Sequence, residues 1–128
     1  MQKTSYQPVT TQPILDVKRK AVVCLCGSTR NPAAFQAAEI AETLANKIVL
    51  TVNCNTRQYP WVLAGKSQSE IEAIYAMLDE QHRQKIEMSD EVLILNVDGY
   101  IGQSTQLELD HALKHNKQVR YLEALVIK

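Results

Sequence analysis

The stretch NVDGYIGQSTQLELDHA, residues 96–112, places two glycines, Gly99 and Gly102, and two hydroxyls, Ser104 and Thr105, directly ahead of a carboxylate, Glu108, in a helical pattern. A helix N-terminus attracts anions through its free N–H groups and its macrodipole, so this segment has the composition of a small-anion site with a carboxylate beside it. Glycines let backbone approach a ligand closely, and an ordinary connection needs neither them nor the extra hydroxyl of Ser104. Thr105-x-x-Glu108 also satisfies the capping-box pattern, in which Glu108 reaches back to the Thr105 N–H and does nothing else. Both roles stay open on the sequence.

A second loop of similar make-up is CGSTRNP, residues 26–32, with Gly27, Ser28, Thr29 and Arg30. It reads either as part of the same anion site or as a turn with a solvated arginine, because it lacks a longer glycine signature. The surrounding elements decide where the two loops lie. KAVVCLCGS (20–28), KIVLTVNC (47–54) and EVLILNV (91–97) are short apolar runs without alternation, as expected of parallel strands covered on both faces. QVRYLE (118–123) is a fourth strand. Between them, Asn31 and Pro32 open a helix to about residue 45 with Ala37, Ile40, Ala41 and Leu44 on its expected inward stripe. Ser67-x-x-Glu70 is a capping box opening a helix to about Met88, and a third helix runs from about Thr105 to His115.

This alternation predicts a single-domain α/β fold: a doubly wound parallel sheet, flavodoxin- or Rossmann-like, with right-handed crossovers. In such sheets the ligand crevice lies beyond the carboxyl ends of the strands, and both loops fall there. The 128 residues, 45% hydrophobic, fit one core, read as residues 20–128 preceded by a polar arm over 1–19. Fourteen basic residues balance fourteen acidic ones, which argues against a nucleic-acid polymer or a membrane surface and for a small ligand held locally. No apolar run reaches the roughly 20 residues of a membrane helix, and the first residues lack the apolar block of a signal peptide, so a cytoplasmic protein is expected. Cys24, Cys26 and Cys54 read as buried, inert thiols. His111 and His115 are spaced for a metal, but no third ligand is evident and no metal is expected.

VCLCGSTR, SDEVLILN and GYIGQSTQLELDHA, in that order over residues 20–123, resemble the nucleoside 2-deoxyribosyltransferase-like family, which includes the deoxynucleoside 5′-monophosphate N-glycosidases. The most specific element is G-x-S-T-x-x-E-L-x-x-A. The resemblance implies that Glu108 is the nucleophile that attacks the anomeric carbon, that Gly27 and Ser28 lie against the nucleoside, and that Ser104 holds a 5′-phosphate. It implies no cofactor, and a homo-oligomer whose neighbouring chain completes the pocket. An ionised carboxylate under the ring stabilises an oxocarbenium-like transition state and can capture the sugar, and the helix terminus should keep Glu108 ionised unless desolvation wins.

One position departs from the family. Its aspartate, eight residues before the aspartate that opens the third strand, is replaced by His82, with Asp79 one turn earlier. His82 either takes over proton transfer or base contact, or is a histidine satisfied within the core. Asp98 can touch a ribose hydroxyl or simply form the Asp98-Gly99 turn, and Tyr100 can cover the base. The long connection 55–67, with Tyr59 and Trp61, is a lid or a subunit contact. The expectation is an enzyme that cleaves or transfers the N-glycosidic bond of a nucleoside or its 5′-monophosphate; the alternative is a non-catalytic nucleotide sensor using the same loops.

Overall fold

The computed structural model describes residues 18–125. The elements follow in the order β1 (Val22–Gly27), α1 (Pro32–Leu44), β2 (Ile48–Leu50), α2 (Gln68–Met88), β3 (Glu91–Leu95), α3 (Gln103–Lys114) and β4 (Gln118–Tyr121), with 3₁₀ turns at Pro60–Leu63 and Val97–Gly99. The four strands form one sheet in the order β2-β1-β3-β4, every pair parallel. This is the expected single-domain, flavodoxin/Rossmann-like architecture. The arm expected over residues 1–19 lies outside the described residues except for Lys18 and Arg19. Arg19 grips Asp90 with two hydrogen bonds of 2.8 and 2.9 Å, and Asp90 also accepts the Val22 N–H at 2.7 Å.

The central strands β1 and β3 are buried almost throughout, which is why their sequences are unbroken apolar runs. Successive side chains of β1 go to opposite faces. Val23 and Leu25 pack with Leu93 and Leu95 of β3 under Phe35 and Ala38 of α1. Cys24 and Cys26 pack with Val92 and Ile94 under Ile86 of α2 and Leu109 and Ala112 of α3. One face thus carries α1 and the other carries α2 and α3. The Ser67–Glu70 capping box forms with both reciprocal bonds, at 3.0 and 3.2 Å, and opens α2.

Two expectations are corrected. The inward face of α1 is Phe35 and Ala38, while Ile40 and Leu44 are 61% and 83% exposed and Ala37 and Ala41 are exposed too. The helix carries apolar residues on two sides, so periodicity alone could not fix its phase. Strand β2 pairs only over Ile48–Leu50, because residues 51–54 leave the sheet toward the ligand end. Glu91, at the start of β3, is buried between Lys47 and Arg120, both 2.6 Å away, in an ion cluster at the strand-start end, opposite the ligand end.

Candidate active site

The direction in which successive strands are added reverses between β1 and β3: β1 is followed by its neighbour on one side and β3 by its neighbour on the other. The loops that leave these strands therefore diverge, and the gap between them is a cleft of about 530 Å³, a size suited to a small molecule. Its first wall is Gly27, Ser28, Thr29 and Arg30. At Gly27 a Cβ would stand 3.0 Å from the Leu95 Cβ, so the close pairing of the two strand ends requires glycine. Ser28 shapes the turn: its hydroxyl accepts the Arg30 N–H at 3.2 Å and its carbonyl accepts the Asn31 N–H at 3.0 Å.

The loop after β2 is tied to this wall. Asn55 donates to the Thr29 carbonyl at 2.9 Å and accepts the N–H groups of Arg57 and Gln58, while Arg57 Nε donates to Thr29 Oγ1 at 3.1 Å. Arg57 joins Arg30 in the cleft lining. Tyr59 and Trp61 do not line it; Trp61 is 73% exposed.

The opposite wall is the loop after β3 and the start of α3. Asp98 and Gly99 take positive φ values of 57° and 76° and form the turn, with the Gly99 N–H bonded to the Asn96 carbonyl at 2.8 Å. Neither lines the cleft, so the turn reading describes their position. Tyr100, Gly102, Ser104 and Thr105 do line it. A Cβ at Gly102 would stand 3.1 Å from the Tyr100 hydroxyl, so this glycine lets the tyrosine fold back over the helix start.

Helix α3 begins at Gln103 with Gly102 as N-cap and no side-chain cap bond. Thr105 is therefore inside the helix and Glu108 lies in its second turn, which removes the capping-box reading. Glu108 instead lines the cleft with a side chain 23% exposed. That position also removes the support expected from the helix terminus, since the dipole's influence fades within the first turn. Burial pushes the Glu108 carboxyl up to about 7; His82 opposes the rise, and Cys24 and Asp79 add to it. Desolvation wins, and the carboxyl is poised between its two forms near neutrality.

His82 comes from the inward face of α2 and is 7% exposed. Its Nε2 lies 3.5 Å from Glu108 Oε2, 3.4 Å from Cys26 Sγ and 3.8 Å from Cys24 Sγ. Burial pulls the imidazole pKa down, but contact with Cys24 and the charge of Glu108 more than offset it, so the net direction is up. The Cys26 hydrogen bond, with help from His82, lowers Cys24 to about 6 against the effect of burial, while Cys26 is pushed up. Cys24 and Cys26 are buried as expected and packed against the imidazole, whereas Cys54 is only partly buried and lines the cleft. The donor atoms of Cys24 and Cys26 and His82 Nε2 lie within 4.8 Å of one another, the set a thiophilic cation takes. Here the three satisfy one another by hydrogen bonding, and the imidazole nitrogen that faces the thiols is also the one that faces Glu108. The imidazole thus stands beside the carboxylate. Asp79, one turn earlier on α2, also lines the cleft.

Sequence reasoning did not single out Arg57, Lys85 or Gln103, all of which line the cleft. Lys85 Nζ is anchored on the Thr51 carbonyl at 2.7 Å and on Asn53 at 2.6 Å. Signals existed for two of them: Arg57 follows a strand end at the ligand side of the sheet, and Lys85 is three residues from His82, on the same helical face. No protein-family model and no curated protein matches the chain.

Proposed function

We propose that this protein cleaves the N-glycosidic bond of a nucleoside or nucleoside 5′-monophosphate, with Glu108 as the nucleophile. The observation that carries the reading is the Glu108 carboxylate, uncommitted to any cap and partly exposed in the cleft between the β1 and β3 loops. In its ionised form it attacks the anomeric carbon while the base departs with the C–N bonding electrons, and water then releases the sugar. His82 holds and charges this carboxylate, and Asp79 is the group available to meet the leaving base. Ser28, Thr29, Arg30 and Ser104, with Arg57, supply the hydroxyls and cations for a sugar or phosphate.

The enzyme works without a cofactor, and its free thiols suit the reducing cytoplasm. The exposed apolar face of α1, with Ile40 and Leu44, supports a homo-oligomer, testable by light scattering. The alternative, a nucleotide sensor, is favoured by the position of His82, beside Glu108 where the family resemblance leads one to expect an acid across the site. Incubation with deoxy- and ribonucleosides and their monophosphates, followed by chromatography for free base, separates the two. Base release that disappears in Glu108→Ala supports the enzyme; thermal stabilisation by ligand without base release supports the sensor.

A further inference from the structure

We propose that Glu87, His111 and His115 form a surface site for a divalent transition-metal ion, separate from the cleft. The two histidines stand four apart, at the end of α3 and its C-cap, and their ring centroids are 4.4 Å apart. The third ligand, which the α3 sequence does not contain, comes from the last turn of α2: Glu87 Oε2 lies 2.9 Å from His111 Nε2. One donor atom from each of the three lies within 4.8 Å of the others. Around a tetrahedral ion with bonds of 2.0–2.2 Å, donor atoms are about 3.4 Å apart, so small side-chain rotations close this triangle on a metal. Two imidazoles and one carboxylate select zinc, cobalt, nickel or copper over magnesium or calcium, and three ligands leave a position for water.

The backbone beneath the site is fixed before any ion arrives. Lys117 Nζ donates to the Glu87 carbonyl at 2.8 Å, and the Lys117 N–H to the Ala112 carbonyl at 2.9 Å, which locks the end of α2 against the turn after α3. The Lys117 ammonium also brings a positive charge near the site, which limits affinity and favours an ion that forms strong bonds to imidazole. A bound ion cross-links α2 and α3, the helices that carry His82 and Glu108.

The test is titration of tag-free protein with Co²⁺, followed by calorimetry and visible absorption, on the wild type, His115→Ala and His111→Ala. Expected are one ion bound per chain, no thiolate-to-cobalt charge-transfer band, and affinity reduced at least roughly tenfold in each variant, the cost of losing even an outer-shell partner. A cobalt-dependent rise in Tm should appear in the wild type and vanish in His115→Ala. Binding unchanged in both variants, a thiolate band that points to Cys24 and Cys26, or no binding by the wild type overturns the assignment. None of these readouts depends on glycosidase activity, so the site and the proposed reaction stand or fall separately.

Discussion

Replacing Glu108 with glutamine should make the protein more stable at alkaline pH while removing the proposed activity. In the fold this carboxyl ionises at about 7, against 4.5 for an unperturbed glutamate, chiefly because it is buried. The unfolded chain therefore releases the Glu108 proton first as pH rises. Stability is untouched below about 4.5, falls as pH climbs between the two values, and carries the full penalty above 7. At 1.36 kcal/mol for each factor of ten in proton affinity, that penalty is about 3 kcal/mol. Glutamine has the same shape and no charge to bury, so Glu108→Gln escapes the penalty.

His82 works in the opposite sense. Its folded pKa is raised, so its contribution is present below 6.5 and fades as pH rises through the folded value. Glu108 is largely neutral near pH 5 and largely ionised near pH 8, which makes those extremes the clean comparison. Urea unfolding should show Glu108→Gln more stable than wild type by about 2–3 kcal/mol near pH 8 and by less than about 1 kcal/mol near pH 5. In a thermal scan the alkaline gain is roughly 10 °C. Equal gains at both pH values, or a loss near pH 8, would refute the claim that a buried, strained carboxylate sits in this cleft.

Base release by Glu108→Ala should fall by at least about a thousandfold, as deletions of nucleophiles do, when read by chromatography under single-turnover conditions. The acid limb of the kcat/KM profile should lie near 7, and because His82 lowers the Glu108 pKa, His82→Asn should move that limb to higher pH by up to about one pH unit. An unmoved limb would remove His82 from the pair. Arg30→Ala and Arg57→Ala should each reduce any preference for monophosphates over nucleosides, measured as the ratio of their KM values; a ratio unchanged in both excludes these cations from phosphate binding. Ile86→Ala, which empties a fully buried position under the cleft, should cost about 2–5 kcal/mol in urea unfolding.

The fold was readable because the central strands and the alternation of strand and helix obey strong rules. VVCLCG and EVLIL are buried on both faces, and sequences so covered have no alternation to mislead. The phase of α1 was not readable, since Ile40 and Leu44 are as apolar as the side chains that do point inward, and only packing against β1 and β2 selects Phe35 and Ala38. The start of α3 was placed two residues late because Thr105 imitates an N-cap, whereas the structure caps with Gly102. Of the expected cleft residues, those in the two strand-end loops follow from topology, except Asp98 and Gly99, which the turn holds outside the lining. His82 was picked out by its place eight residues before Asp90, but its contact with the thiols required knowing that α2 crosses the face of β1 that bears Cys24 and Cys26, a long-range fact that no local pattern encodes. Arg57 follows a strand end at the ligand side, and its seat in the wall comes from Asn55 pinning the β2 loop to Thr29.

The arrangement of the polar groups carries a further consequence for the proposed reaction. His82 and Glu108 come from helices on the same face of the sheet, and the imidazole backs the carboxylate at 3.5 Å. A sugar held against Glu108 must therefore present its leaving base away from this pair. Asn53 and Asp79, which line the rest of the cleft, are among the side chains left to meet the base. Sugar chemistry and base recognition are thus assigned to different groups: Glu108 and Ser104 of α3 with His82 for the first, Asn53 after β2 and Asp79 of α2 for the second. Substitutions at Asn53 or Asp79 should change the order in which bases are accepted, seen as shifts in relative kcat/KM across the nucleoside panel. Substitutions at Ser104 or His82 should scale all bases together. If Asn53→Ala and Asp79→Asn scale every base equally, the base lies elsewhere and the orientation of the sugar over Glu108 must be reversed.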